Sequence, residues 1–387
     1  MSVATRQRQL VLIGGGHAHV QVLQAFATTP PDDCRITLIA SEAVAMYSGM
    51  APGFVAGDYS RDELSIDLRP LAAACNAEFI ENRCERVFPE LKRIELDDGR
   101  RLSYDVASFN VGSTLVGRNL QGVAEHTLPT RPLTKLIGGI SAMIGRAKAH
   151  PTDQPFRLVV VGAGVAGIEL AFTTQSRLRK ETGRSIHTTV LDSAGRILAS
   201  LPGAFVRRVE RLADRRGISF CNDAKVVRIC NHGVILQSGN RIDSDATLWV
   251  TGPAGHRLFP NSPGIETDDR GFAWTRCTLQ LKNHEDIFAV GDCGTLCDYP
   301  HTPKAGVYAV RQGSLLAHNL RAQLCGEPLG SYKPQRDFLT LCNMGNGYAI
   351  GCKKNLSFGG RWVLRLKDRI DRAFMRRFQS DPQKVHD

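Results

Sequence analysis

The 387-residue sequence has no apolar run near the roughly 18 residues that a membrane-spanning helix requires. No helical span is therefore expected. Its first residues, Met-Ser-Val-Ala-Thr-Arg-Gln-Arg, lead directly into an apolar strand, so no secretory leader is expected either. A paired-cysteine framework is also missing. Eleven cysteines, an odd number, fall at irregular spacings. Free thiols in a reducing, cytoplasmic compartment follow as the expectation. Acidic residues are in short supply, 38 against 49 lysines and arginines, for a net charge of +11. Such a balance suits nucleic acid, an anionic membrane surface or anionic small molecules. The arginines sit in no recognisable nucleic-acid-binding fold, so nucleic acid is set aside. No metal is expected.

What the chain does have is a glycine turn used twice. Leu10-Val-Leu-Ile-Gly-Gly-Gly-His-Ala-His-Val20 reads as a buried strand, a turn and a helix start. Gly14 permits the turn, and Gly16 lets backbone approach a pyrophosphate at the helix N-terminus. His19 stands at the third glycine position. Leu158-Val-Val-Val-Gly-Ala-Gly-Val-Ala-Gly-Ile-Glu-Leu170 repeats the device, and there Gly162, Gly164 and Gly167 complete G-x-G-x-x-G. Two dinucleotide sites in one chain point to electron transfer between two cofactors.

Each turn opens a similar succession of elements. The first runs through strand 9–13, a helix over about 16–28, strand 35–40, a short helix 67–76, a meander over 78–102 and a closing strand in 104–113 that ends in glycine. Helix 134–149 and linker 150–155 lead to the second. It runs through strand 157–161, a helix over about 165–180, strand 188–192, an amphipathic helix 203–216 and a meander from 218, closing at 245–252. This reads as a diverged internal duplication in an α/β fold.

A ribose-binding acid is expected about 20 residues past each turn. After the first, Glu42 is the candidate, with a solvated loop acid as the alternative. After the second, Asp192 would accept from a ribose 2′-hydroxyl and favour NADH, whereas Arg196 would suit a 2′-phosphate. The Gly-rich, apolar loop 46–57 is expected to line a flat aromatic cofactor, with Tyr47 and Pro52 closest. Asp286-Ile-Phe-Ala-Val-Gly-Asp-Cys293 places Gly291 and Asp292 at the C-terminal end of a strand, where such sheets hold ligands. Asp292 suits a cofactor polyol or a helix cap.

This ordered set, with Glu169 two residues beyond the full fingerprint and Phe288-Ala-Val-Gly-Asp292 near the end, resembles the two-dinucleotide-domain flavoproteins. That family includes pyridine nucleotide–disulfide oxidoreductases, type II NADH dehydrogenases and sulfide:quinone reductases. The resemblance covers about residues 9–325. It implies two Rossmann-like dinucleotide-binding domains, the second inserted in the first: FAD on 1–125 and 280–330, NAD(P)H on 126–279, and a small C-terminal region over 331–387. By motif, Gly14, Gly16, Asn110, Gly112, Gly291 and Asp292 fall at the FAD site. Gly162, Gly164, Gly167, Gly252 and Asp192 fall at the NAD(P)H site. Glu169 matches a glutamate near the flavin–nicotinamide junction of type II NADH dehydrogenases. Lys304 to Gly313 matches the helix start that faces the flavin pyrimidine edge. There Lys304 and the amides around Ala305 would stabilise charge on the reduced flavin, a solvated lysine being the alternative. The implied activity passes electrons from NAD(P)H through FAD to a quinone or another small acceptor.

A narrower likeness lies in residues 14–20, 47–53, 334–339 and 366–378. These resemble the NADH-dehydrogenase-like protein often fused ahead of selenide, water dikinase, and the chain looks like its stand-alone form. The likeness suggests a partner in selenium metabolism.

Residues 17–33 hold no cysteine, whereas a disulfide reductase would need a redox pair in that helix. Cys293 and Cys297, one helical turn apart after the Gly-Asp motif, leave a second reading open: flavin- and thiol-dependent redox of a sulfur or selenium species. A non-catalytic flavoprotein module is a third. His17 and His19 would touch phosphate or, the preferred reading, pack the turn. Between Arg361 and Arg377 seven basic residues face two acids. Trp362, Val363, Leu366, Ile370, Phe374 and Phe378 recur near i, i+4, with arginines and Lys367 around them. This reads as a basic amphipathic helix. It would rest on the inner face of the cytoplasmic membrane within reach of a quinone, or pack on its own domain or in a homodimer.

Overall fold

The apolar runs become two parallel sheets in a computed structural model that describes residues 7–379. The first sheet has the strand order Ile287–Ala289, Val106–Phe109, Arg8–Ile13, Cys34–Ala40, Glu78–Glu81. The second has the order Leu128–Pro129, Ala246–Trp249, Phe156–Val161, Ile186–Leu191, Ile218–Cys221. Helices cover these strands, which explains their nearly unbroken apolar sequences. Each sheet takes one edge strand from outside its own βαβ run. The first takes 287–289, which follows the second domain in sequence, and the second takes 128–129, which precedes it. This is how one domain is inserted in the other.

The duplication reaches into detail. Each half carries a three-stranded antiparallel meander with a register shift in its first pairing, between Cys84 and Arg86 in one and Val226 and Arg228 in the other. At the base of each first strand a carboxylate caps a backbone amide: Asp105 Oδ2 accepts from Gln9 N (2.7 Å) and Asp245 Oδ2 from Arg157 N (2.8 Å).

Three expectations change. Glu78–Glu81 and Ile218–Cys221 join the parallel sheets, and the meanders begin only at Cys84 and Val226. Segment 46–57 is not a loop. It folds into a 3-10 turn, Ser48–Met50, and a helix, Ala51–Ala56, with Pro52 buried in the first turn, where its missing N–H costs nothing. Leu258, Phe259, Ala273 and Leu281 pack with Phe109 and Ile287 of the first sheet, so the chain has returned to the first domain by residue 258 rather than at 280. The C-terminal region packs on both domains. Its hairpin buries Cys342, Met344, Ile350 and Cys352 against the second domain, and its last helix, Arg361–Gln379, buries Phe374, Met375 and Phe378 against the first. It straps the two together. Among the described residues no helix is long and apolar enough to cross a membrane.

Candidate functional site

Gly14 has φ +96° and Gly162 φ +111°, values open to glycine. Their amides donate to Ile39 O and Leu191 O, each at 2.7 Å. A Cβ on Gly14 would stand 2.5 Å from Asn110 O, and one on Gly162 would collide with Val250 O. Helices His17–Thr28 and Val165–Thr182 begin immediately after Gly16 and Gly164, so each turn directs a helix N-terminus at the C-terminal edge of its sheet. Around Gly112, Gly164 and Gly252 an added Cβ would meet open space. Both cradles therefore have the room and the amide-rich helix ends that FAD and a pyridine nucleotide need.

The two histidines part company. His19 is fully buried, with Nδ1 2.7 Å from Gly14 O and Nε2 2.8 Å from Ser108 Oγ. A carbonyl only accepts, so Nδ1 carries the proton and Ser108 donates to Nε2. Burial holds its pKa down at about 4. His19 thus packs the turn. His17 opens the helix with its ring edge-on to Tyr47 (5.3 Å) and Phe374 (6.2 Å). Its Nε2 is buried without a hydrogen-bond partner among the described residues. Burial lowers its pKa to about 4, with Asp292 acting in the opposite direction. An orphaned polar atom at the mouth of the first cradle suits a cofactor contact.

Asn110 is fully committed to the protein. Its Oδ1 accepts from Ala18 N (3.0 Å) and His19 N (3.3 Å), and its Nδ2 donates to Val290 O (3.1 Å). It caps from a neighbouring strand a helix whose own N-cap, Gly16, has no side chain to do so. Asp292 lies in the 3-10 turn Gly291–Cys293, accepts from Ser113 Oγ (3.0 Å) and pairs with Arg131 (2.7 Å). Arg131, on the connection into the second domain, brings a cation to the first cradle. No motif marked it, because its role depends on where the linker folds back.

Hydrogen-bond register aligns the ends of the second strands in the two halves. Ile39 and Leu191 play the same part, so Ala40 matches Asp192, and the first half carries no acid there. Glu42 lies two residues on, accepting from Thr134 Oγ1 at 3.0 Å. Asp192 accepts from Ala163 N (2.6 Å) and Ala194 N (2.8 Å), which holds its carboxylate beside the second turn. Arg196 instead donates to Leu201 O.

Lys304 is neither solvated nor free. Its Nζ donates to Gly294 O and to Thr295 Oγ1 (2.8 Å) and lies 4.2 Å above the Phe272 ring, while burial lowers its pKa to about 8. Ala305 is the N-cap of helix Gly306–Cys325, and Lys304, Ala305, Asp292, Tyr308 and Gln312 line one small cavity. Cys293 is 2% exposed, and its Sγ donates to Val290 O and Phe109 O. Burial pushes its pKa up to about 11. The extended segment Gly294–Leu296 separates it from Cys297, so the two are not one helical turn apart.

Glu169 is buried, with Oε1 accepting from Asn343 N at 2.7 Å. Burial raises its pKa to about 7, against the pull of Lys367. Lys367 and Asp371, on the C-terminal helix, were missed. Helical periodicity placed Lys367 on a polar outer face, yet both point inward. The apolar face expected there divides in two. Val363, Phe374 and Phe378 are buried, whereas Trp362 and Ile370 are 54% and 45% exposed.

Comparison with known proteins agrees with this architecture. Residues 8–313 match the family model described as pyridine nucleotide-disulphide oxidoreductase. The NADH dehydrogenase-like protein YutJ of Bacillus subtilis is 25% identical over 85% of this chain and 87% of its own length. A type II NADH:quinone oxidoreductase of Staphylococcus saprophyticus is 20% identical over 95% of both chains. Among solved structures, the sulfide:quinone oxidoreductase of Aquifex aeolicus superposes with a TM-score of 0.81 at 19% identity, covering 96% of this chain and 91% of that one. NDH2 of Plasmodium falciparum in complex with NADH gives 0.77 at 13% identity, covering 97% and 100%. With paired glycine cradles and a family match over most of its length, the chain belongs to the pyridine nucleotide–disulphide oxidoreductase family and is an NAD(P)H-dependent flavoprotein oxidoreductase.

Proposed function

We propose that the protein is a peripheral NADH:acceptor oxidoreductase whose acceptor is a quinone. The observation that carries this reading is the buried Glu169 carboxyl, which accepts from Asn343 N where the C-terminal region packs on the second domain. Bound FAD supplies the two-electron carrier between NADH and the acceptor. Reducing a quinone to a quinol takes two electrons and two protons, and NADH brings only a hydride. One further proton must come from the medium through the protein. A carboxyl with a pKa of about 7 is half protonated near neutrality and suits that transfer. Asp192 excludes a 2′-phosphate by like charge, and Arg196 is engaged elsewhere, which favours NADH over NADPH. The thiol-based reading is weakened by the burial of Cys293, because a thiol held near pKa 11 offers almost no thiolate.

The outer side of the C-terminal helix supports contact with a membrane surface. Trp362, Ile370 and Leu356 (76% exposed) stand among exposed Arg361, Arg365, Arg369, Lys353 and Lys354. Apolar side chains ringed by cations suit the boundary of an anionic bilayer.

The test is anaerobic titration of the FAD-loaded protein with NADH and NADPH, following the flavin's visible absorbance. A quinone analogue, a sulfur compound and a selenium compound are then offered for reoxidation, the last because of the narrower motif likeness. Bleaching by NADH and reoxidation by the quinone is the expected result. Failure to bleach rejects hydride transfer, and reoxidation only by selenium or sulfur compounds rejects the quinone.

A further inference from the structure

We propose that Asn343 is a positioning residue: its backbone N–H fixes one oxygen of the Glu169 carboxyl, so that the carboxyl carries its proton on the other. The inference rests on the reading of Glu169 as proton carrier. Asn343 N donates to Glu169 Oε1 at 2.7 Å. An amide N–H only donates, so Oε1 is the carbonyl oxygen when Glu169 is neutral and the proton resides on Oε2. Oε2 is then the oxygen that takes up the proton and gives it away. An N–H serves a carbonyl and a carboxylate oxygen alike, so the same bond holds the group in both charge states and returns it to one orientation after each transfer.

The strand pattern makes this amide available. Thr340–Asn343 is an edge strand of the C-terminal hairpin sheet and pairs with Ala349–Lys353. Asn343 turns its N–H out of that ladder and spends it on Glu169. The rest of Asn343 is pinned. Its Oδ1 accepts from Gly345 N (2.8 Å), and its Nδ2 donates to Asp58 Oδ2 (3.1 Å), just past helix Ala51–Ala56. Three residues on, Asn346 N donates to Ser176 Oγ at 3.2 Å. Glu169 and Ser176 lie two turns apart on helix Val165–Thr182, so they share the face along which the hairpin lies. Arg216 adds a donor to Met344 O. Contacts to both domains therefore set where the amide stands. Asn343 is 2% exposed and Glu169 8%, so water competes little for the bond.

A donated N–H favours the ionised carboxyl. Burial raises the pKa of Glu169, Lys367 and the Asn343 amide pull it down, and Asp371 pushes it up. The Cys342 thiol, beside Asn343 on the hairpin, is kept protonated by burial, and Asp58 meets the Asn343 side chain rather than the carboxyl. Alanine and proline at position 343 separate the amide from the side chain. Both lose the contacts to Asp58 and Gly345, but only proline removes the N–H. An edge strand tolerates proline where the N–H lies outside the ladder. A role confined to packing would leave the two variants alike at Glu169.

The experiment uses the FAD-loaded protein labelled with 13C at its glutamate carboxyls, with Glu169→Gln identifying the signals by their loss. Two readouts follow the carboxyl: its NMR titration midpoint and, in the protonated form, its infrared C=O stretch. Asn343→Pro is expected to titrate on the order of one pH unit above Asn343→Ala, a tenfold change in proton affinity. Its C=O stretch should rise, because the carbonyl oxygen has lost its donor. If Asn343→Pro folds poorly, as judged by flavin content, the parent protein carries the test. Its Asn343 amide proton resonance should titrate with the midpoint of Glu169 and stay flat in Glu169→Gln. Equal midpoints in the two variants, or a flat amide resonance beside a titrating Glu169, overturn the proposal. An unmoved C=O stretch overturns the choice of oxygen. Failure here is separable from that of the functional reading. Normal quinone reoxidation in Glu169→Gln rejects the proton-carrier role whatever the spectra show, and equal midpoints beside slowed reoxidation in Glu169→Gln reject only the positioning role.

Discussion

At the third position of the second glycine turn stands Gly167, and at the matching position of the first stands His19. A Cβ on Gly167 would collide with Gly162 O. In the first half the corresponding carbonyl, Gly14 O, accepts a hydrogen bond from the His19 ring. The change is paired with another. The His19 ring also meets Ser108, and strand register matches Ser108 to Leu248 in the second half. Close backbone packing over a leucine in one half is replaced in the other by a buried imidazole and its hydroxyl partner. Asn110 then adds a side-chain cap to the first helix, where the matching residue of the second half is Val250. A fingerprint glycine is thus one way to seat a helix on a strand. A large side chain serves equally when every polar atom it buries is paired.

His19→Gly tests this most severely. It leaves a cavity and strips Gly14 O and Ser108 Oγ of their partner, so a loss of roughly 4 kcal/mol is expected in urea unfolding, together with loss of FAD. Adding Ser108→Leu, which recreates the second half's pairing, should recover part of that loss. If the single variant is as stable as the parent, the comparison fails.

Acid should separate the halves next. The His19 pKa is depressed when folded, so the unfolded chain binds more protons between about pH 6.5 and pH 4. Its contribution is complete above pH 6.5 and is lost as pH falls toward 4, a span worth roughly 3 kcal/mol. Unfolding free energies measured across that range should show the slope in the parent, and His19→Gln should reduce it by about half, because His17 carries a similar depression.

Asp192→Ala removes an acid that the first half already lacks at Ala40. It should weaken NADH binding about tenfold and narrow its advantage over NADPH. Anaerobic flavin bleaching measures both, and unchanged titrations would assign the carboxylate to the turn alone. The smallest effect is expected for Glu42→Gln, displaced from the ribose position. It should change FAD affinity, followed by flavin fluorescence, by less than about 0.5 kcal/mol.

The parts legible in the sequence are those written in local pattern. Gly14 and Gly162 stand out because the chain must turn sharply after an apolar strand, and the matching succession of elements after each turn exposes the duplication. Other features escaped because their signal is not periodic. Two-residue edge strands such as Leu128–Pro129 are too short to show alternation. Glu78–Glu81 alternates like a hairpin strand although it closes a parallel sheet. The C-terminal helix misled in a different way. Its i, i+4 stripe is real, but it does not form a single face turned one way. The helix instead packs along a corner, burying Phe374 and Phe378 with Lys367 and Asp371 and leaving Trp362 and Ile370 outside.

By itself, then, the sequence determined two dinucleotide cradles, their order and the shared plan of the halves. Each of these is written in short local patterns and in backbone geometry that few residue types permit. Tertiary structure alone decided which polar side chains meet. Arg131 reaches Asp292, Asn343 N reaches Glu169 and Tyr47 reaches Asp371 across 161, 174 and 324 residues. Such contacts exist only once the two domains and the C-terminal region have packed on one another. The physical reason is burial. A carboxyl, an ammonium and a phenol that would be solvated on an isolated helix are forced together where water is excluded, and their charges are then set by one another.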